Sequence, residues 1–494
     1  MFQDATTAQI NTALESAYTA FLSYRYQSGA QKAAFMRTIA TEIEALGPIL
    51  IETAQRESNL PEARLLGERG RTCNQLRNLA DVVAEGSWLQ ATIETALPDR
   101  QPLPKPDIRN MLVPIGPVVV FGASNFPFAY STAGVDPAAA WAAGCPVVVK
   151  AHPAHPETSE LVAGAVLKAV EKCGLPEGTF VHLHGANFEV GKALVMHPKT
   201  AAVGFTGSFV GGKALFDLAN QRPVPIPVFA EMGSTNPVFL LPDALEKEAE
   251  KYGKMYAGSI TGGMGQFCTK PGLLIGTAGS GLDQFMVALN TAIEQTAPVA
   301  MLHPGIATAF REKRANVLAQ TAVAVEAETT LEYAPNDGIP SVASVSAAEF
   351  LQNPTLHQEV FGPFSLLIKC QNEQEMSQVA SHLEGQLTCT FIATDHDLHA
   401  HRDLVQAASL LCGRLVLNSV PTGVEVCAAM QHGGPFPAST DGRFGSVGAH
   451  AIHRFVRPLA IQGFKDEFLP AELQDANPLG IWRMLNGQWS KQGI

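Results

Sequence analysis

Apolar positions recur at helical spacing through the first hundred residues of the chain. Ile10, Leu14, Ala17 and Phe21 follow Thr6 and Thr7, either of which can cap a helix there. A second helical run is expected over 31–58 and a third over 60–84. Four prolines (98, 102, 104 and 106) then fall within nine residues, so 98–106 reads as a linker or extended arm.

The texture changes between 111 and 237. Short β-branched runs at 117–121, 146–150, 179–183, 201–205 and 227–230 alternate with helical segments around 137–143 and 157–173 and others ending at His197 and Asn220. Gly174 closes the second of these helices. Continuous apolar strands separated by amphipathic helices predict a parallel sheet covered on both faces, the doubly wound α/β pattern of nucleotide-binding proteins. Past Pro237 the alternation continues, with a strand at 238–241, a helix over 243–261, a strand at 272–276 and a helix from Leu282. A second α/β domain is therefore expected to about residue 440, followed by a strand-like piece at 454–462 and a polar end. No internal repeat or low-complexity segment is evident.

The length, 494 residues, suits about three domains, or two and an appendage, at roughly 150 residues each. Apolar residues make up 46% and charged residues only 16%, which points to much buried surface in a core, a subunit interface or both. A net charge of −12 without a dense basic run argues against nucleic-acid or anionic-membrane partners and favours a small-molecule enzyme. Met1-Phe2-Gln3-Asp4 lacks the basic and apolar regions of a secretory signal. No stretch reaches the ~18 apolar residues of a membrane helix. The eight cysteines (73, 145, 173, 268, 370, 389, 412 and 427) are scattered without CxxC or metal-ligand spacing. They read as reduced thiols of a cytoplasmic protein, and no metal is expected.

Three segments could carry chemistry. In Gly265-Gln266-Phe267-Cys268-Thr269, after the glycine-rich 262–265, the cysteine can be a nucleophile; alone, it reads as a small buried residue. Glu231, in Glu231-Met232-Gly233-Ser234-Thr235-Asn236-Pro237, ends an apolar parallel strand, where open α/β sheets place ligands; alone, it reads as an edge carboxylate. Asn125, in Gly122-Ala123-Ser124-Asn125-Phe126-Pro127, also follows a strand and either donates to an oxyanion or caps a helix.

Together these segments resemble the aldehyde dehydrogenase superfamily. Asn125-Phe126-Pro127, Phe205-Thr206-Gly207-Ser208, Glu231-x-Gly233-Ser234-x-Asn236-Pro237, Gly265-Gln266-x-Cys268 and Glu359-Val360-Phe361-Gly362-Pro363 follow that family's order and spacing over nearly the whole chain. The resemblance implies an NAD(P)-dependent enzyme in which Cys268 attacks an aldehyde to give a thiohemiacetal and then a thioester. Asn125 and the Cys268 N–H would stabilise the oxyanion, and Glu231 would activate the hydrolytic water. It also implies a coenzyme-binding domain of 1–98 and 107–231, a catalytic domain of 232–440, and bridging or oligomerisation segments at 98–106 and 441–494. The family assembles through such segments, so a homodimer or homotetramer is expected.

For the coenzyme, the resemblance places Lys150 at the adenosine ribose and Gly207-Ser208-Phe209-Val210-Gly211-Gly212 at the pyrophosphate. Glu359 would hold the nicotinamide ribose, with Phe361 beside the ring. NAD-preferring relatives often carry an acid where this chain has Pro153, and His152 and His155 lie nearby. NADP or NAD is expected, with NADP slightly favoured.

Within the superfamily, 122–127, 150–156, 265–269, 421–426 and 477–481 resemble the α-ketoglutaric semialdehyde (2,5-dioxovalerate) dehydrogenases, a group that also takes in fatty-aldehyde enzymes. The implied reaction is 2,5-dioxopentanoate to 2-oxoglutarate. The alternatives are a fatty or broad-specificity aldehyde dehydrogenase, a thioesterase-like hydrolase and an inactive binding relative. Phe126, Tyr130 and Phe267 are expected in the substrate tunnel. Phe444-Gly445 stands where the group is expected to carry Ser or Thr, which bears on the polarity of the pocket. Arg443, Arg454 and Arg457 are candidates for holding a substrate carboxylate.

Overall fold

The computed structural model describes residues 2–494. Helix α1, Thr7–Tyr24, begins at Thr6, whose side chain and that of Gln9 form a reciprocal capping box. The expected second run is two helices, α2 (Gly29–Ala45) and α3 (Pro48–Ser58). Gly47, at φ 62°, turns the chain between them, and Pro48 opens the new helix where no N–H is needed. Helix α4 spans Glu62–Glu85. Among the described residues no helix is long and apolar enough to cross a membrane.

Five parallel strands form the first sheet, in the spatial order Phe180–Leu183, Val147–Lys150, Val118–Phe121, Ala202–Thr206, Val228–Glu231. Val118–Phe121 is buried at every position, which is why it reads as an unbroken apolar run. The chain winds outward from this central strand in one direction, then returns to its other side with Ala202–Thr206. The reversal lies between those two strands, and their carboxyl ends open a crevice there. Asn125 follows one of them and Thr206-Gly207-Ser208 the other. In register, Thr206 pairs with Glu231 on the next strand. Three expected site segments thus share one sheet edge.

The connector 232–237 leads into a seven-stranded sheet whose order is Ala324–Glu328, Ser341–Ser346, Phe364–Cys370, Leu273–Thr277, Val238–Leu240, Gln386–Ile392, Cys412–Leu417. All neighbours are parallel except the first pair.

A third sheet was not foreseen. It joins Val456–Gln462, Ile108–Pro114, Thr92–Glu94, Arg483–Leu485 and Gln488–Ser490. The proline-rich 98–106 is the excursion between two of its strands, closed by backbone bonds between Leu97 and Lys105. Two of its four pairings, Thr92–Glu94 with Arg483–Leu485 and Ile108–Pro114 with Val456–Gln462, join segments hundreds of residues apart, so no local pattern announces the sheet. The segment 441–448, expected with the bridging tail, instead returns to the edge of the first sheet. Thr440 bonds there to Ala230, and Ser446 to Glu231.

Candidate active site

The Cys268 loop is held from three sides. Asn236, fully buried at φ 46°, donates its side-chain amide to the carbonyls of Cys268 (2.8 Å) and Lys270 (3.0 Å). Gln266 donates to Gly263 and accepts from the Leu302 N–H, each at 3.0 Å. Gly265, at φ 61°, lets the loop pass the Gly362 carbonyl, which a Cβ would meet at 2.2 Å. The buried Lys270 ammonium donates to the carbonyls of Val360 and Phe364 at 3.1 and 2.7 Å, tying the loop to the segment that carries Glu359.

Cys268, Glu231 and His432 come together, with one ligand-type atom from each lying within 4.8 Å of the others. His432 Nε2 is 3.0 Å from Glu231 Oε1 and 3.5 Å from Cys268 Sγ. Glu231 Oε1 has no partner in hydrogen-bond geometry, so the imidazole stands between the thiol and the carboxylate, bound tightly to neither. Ser446 Oγ donates to Glu231 Oε2 at 3.0 Å. Burial pushes the Glu231 carboxyl up, but its neighbours His432, Cys268 and Ser446 together carry it below the ordinary value. Burial and the neighbouring Glu231 carboxylate push the Cys268 thiol well up, so it rests protonated.

His432 and Ser446 escaped the sequence reading. His432 precedes Gly433-Gly434, a glycine pair that permits close backbone approach and was the only local signal available.

Asn125 is buried, and its Nδ2 donates to the Gln266 carbonyl at 3.2 Å, which leaves its second amide hydrogen free. A cavity of about 560 Å³ runs past these groups, lined among others by Asn125, Glu231 and Cys268. Phe205, Thr206, Gly207, Ser208, Glu359 and Phe361 line the same cavity. The helix Phe209–Asn220 starts at its wall, capped by Ser208 Oγ, which accepts from Gly211 N–H. The size and the helix N-terminus fit the pyrophosphate and nicotinamide halves of a dinucleotide. At Gly207 a Cβ would fall 2.7 Å from the Phe205 ring, so the backbone packs there as only glycine allows.

Not every expected contact reaches that cavity. Lys150 does not line it; its ammonium donates to the carbonyls of Ala151 and Gly185, both at 2.8 Å, and burial lowers it to about 8. His155 is buried, with Nε2 2.7 Å from the Ala123 carbonyl, and His152 lines the cavity. Burial pushes both imidazoles down, so neither offers a cation to a 2′-phosphate.

Phe126, Tyr130 and Phe267 form an aromatic cluster, with Phe126 centroids 5.3 Å from Tyr130 and 5.9 Å from Phe267. Tyr130 in turn lies 6.1 Å from the His432 ring. The three candidate arginines are elsewhere engaged. Arg443 is exposed and pairs with Asp441, Arg454 is buried against Asp136 at 2.6 Å, and Arg457 is exposed. Their proximity in sequence to 441–448 did not carry their guanidinium groups to the aromatic cluster. Phe444 lies beside Glu231, His432 and Ser446 around a void of about 10 Å³.

The aldehyde dehydrogenase family model matches residues 1–459. The chain is 48% identical over 488 residues to α-ketoglutaric semialdehyde dehydrogenase 2 of Azospirillum brasilense, covering 99% of this chain and 93% of that one. It is 44% identical over 488 residues to α-ketoglutaric semialdehyde dehydrogenase of Acinetobacter baylyi, covering 99% and 92%. Among solved structures, glyceraldehyde-3-phosphate dehydrogenase GapN of Methanocaldococcus jannaschii, complexed with NADP, superposes with a TM-score of 0.78 at 19% identity, over 94% of this chain and 96% of that one. Betaine aldehyde dehydrogenase of Staphylococcus aureus gives 0.79 at 18% identity, over 93% and 89%. The doubly wound sheet and the Cys268 loop are therefore those of a known family: the chain belongs to the aldehyde dehydrogenases and is an NAD(P)-dependent oxidoreductase of aldehydes.

Proposed function

We propose that the chain oxidises 2,5-dioxopentanoate, the semialdehyde of 2-oxoglutarate, to the dicarboxylic acid. The juxtaposition of Cys268, Glu231 and His432 beside the dinucleotide-sized cavity carries the chemistry. The substrate reading is supported by the two relatives at 48% and 44% identity, both named for that semialdehyde.

In this reading the resting thiol passes its proton to His432 Nε2, 3.5 Å away, with Glu231 beyond to stabilise the imidazolium. The thiolate attacks the aldehyde carbon. The free amide hydrogen of Asn125 and the Cys268 N–H take up the oxyanion, and one such donor contributes about 10²–10³-fold to kcat. When bound, the nicotinamide supplies the hydride acceptor, and a thioester is left on Sγ. Glu231, oriented by Ser446, then takes a proton from the attacking water, and Sγ leaves as the acid forms.

Coenzyme choice is proposed to lean towards NADP. The support is Pro153, which puts no carboxylate where one would repel a 2′-phosphate; the neighbouring histidines add nothing. A homodimer or tetramer is proposed from the exposed Leu459, Phe464, Trp482 and Trp489 on and beside the third sheet.

The test is reduced-nicotinamide formation by the purified protein across short semialdehydes and long-chain aldehydes, with NAD and NADP compared. The five-carbon keto-semialdehyde should give the highest kcat/KM. A higher value for a long-chain aldehyde would replace this reading with a fatty-aldehyde one.

A further inference from the structure

Helix α4 presents Arg64, Glu68 and Arg71 at successive i, i+4, i+7 positions along one face. Both arginines reach the aromatic cluster beside Cys268. The Arg64 guanidinium lies 4.9 Å from the Phe126 ring centroid and 4.7 Å from that of Phe267. Arg71 lies 5.9 Å from Phe126 and 5.8 Å from Tyr130. Phe126 directly follows Asn125 and Phe267 directly precedes Cys268, so both rings belong to the loops that would hold the aldehyde carbon.

The two cations are incompletely satisfied. Arg64 Nη2 donates to the Asn125 carbonyl at 2.8 Å, but Nη1 is shielded from solvent without a partner. Arg71 Nη2 is likewise shielded and unpartnered. Glu68 acts on both through its charge but forms no ion pair with either: its Oε1 accepts from the Phe128 and Ala129 N–H groups at 2.8 and 3.0 Å, and its Oε2 is shielded without a partner. Burial moreover pushes its carboxyl up, towards the neutral form. Arg414 is different: its Nη atoms are anchored on the carbonyls of Pro421 and Gly423.

A shielded guanidinium nitrogen without an acceptor is costly, and a bidentate carboxylate is the acceptor its geometry suits best. Arg71 also acts on the thiol, opposing its upward shift. We propose that Arg71, assisted by Arg64, receives the far carboxylate of a short ω-oxo acid and so selects anionic semialdehydes over uncharged aldehydes of equal length. This rests on the semialdehyde reading above and gives it a structural determinant. The aromatic faces then flank the carbon chain between Cys268 and the two cations.

The experiment measures kcat and KM for 2,5-dioxopentanoate and pentanal in wild type, Arg71→Met, Arg71→Lys and Arg64→Met. The ratio of kcat/KM for the two aldehydes should fall at least 30-fold in Arg71→Met, mainly through KM of the semialdehyde. Arg71→Lys should recover part of it, and Arg64→Met should lose about tenfold. A parallel fall for both aldehydes, or an unchanged ratio, would show the arginines to be mere packing and overturn the proposal. If Arg71→Met does not fold, Arg71→Lys and Arg64→Met decide by the same ratio. If wild type itself prefers pentanal, the semialdehyde reading fails first; if it prefers the semialdehyde and the variants keep that preference, only the arginine proposal falls.

Discussion

His432 presents Nε2 3.5 Å from Sγ of Cys268, although 164 residues separate them in the chain. The same nitrogen is 3.0 Å from Glu231, and the side chains of His432 and Glu231 are only 1% and 5% exposed. A thiol raised by burial and a carboxylate lowered by its neighbours therefore flank one imidazole.

Replacing His432 by Gln should slow acylation, because the thiol then loses the proton acceptor proposed for it 3.5 Å away. We expect kcat/KM to drop by ~10–100-fold near neutral pH, within the usual range for acid–base groups. The deficit should shrink as pH rises and bulk hydroxide takes over. A loss that is the same at every pH would make His432 a packing residue.

Glu231→Gln should separate the two halves of the reaction. The amide is nearly isosteric but takes no proton from water, so turnover should fall by ~10²-fold or more. A burst of reduced coenzyme near one per active site should remain, and Cys268→Ala should abolish burst and turnover alike while still binding coenzyme. The carboxylate also holds the Cys268 thiol up. Its removal should therefore shift the pH dependence of iodoacetamide alkylation downward. Loss of the burst, or an upward shift, would contradict this division of roles.

Pro153 is exposed in the turn that follows Lys150. Wild type should use NADP at least as efficiently as NAD, and Pro153→Glu should move the preference towards NAD by repelling the 2′-phosphate. Strict NAD dependence of the wild type would defeat the ribose argument.

Asn236→Ala should weaken the molecule as well as the site. It strips partners from the carbonyls of Cys268 and Lys270 and from the hydroxyls of Ser234 and Thr388, all at 2.8–3.0 Å. It also puts alanine at φ 46°. A cost of about 2–4 kcal/mol follows, read as a Tm several degrees lower together with reduced kcat. An unchanged Tm would mean the loop is held by other contacts.

Exposed Trp482 and Trp489, 44% and 57% accessible, lie just before the strand Arg483–Leu485 and within the strand Gln488–Ser490. Light scattering at micromolar concentration should give a dimer or tetramer mass. Charged substitutions at both tryptophans should shift the population towards the monomer, and a monomeric wild type would remove the basis for this expectation.

The amino-acid sequence by itself determined the parallel sheet and the places where its strands end. Buried parallel strands such as Val118–Phe121 leave an unbroken apolar signature, and ligand-bearing loops must follow their carboxyl ends. Asn125, Glu231 and Cys268 were legible for that reason, each beside a strand end or a glycine turn. Only the tertiary structure decided what surrounds them. His432 and Ser446 lie in a segment without regular structure, and Arg64 and Arg71 lie on an N-terminal helix whose spacing marks only its buried face. The third sheet likewise pairs Thr92–Glu94 with Arg483–Leu485, almost the length of the chain apart. Local periodicity reports which face of an element is buried; the partner it meets there is set by long-range packing. The arginines at 443 and 454, plausible by position, were taken by Asp441 and Asp136, whereas Arg64 and Arg71 of α4 lie against the aromatic cluster beside Cys268.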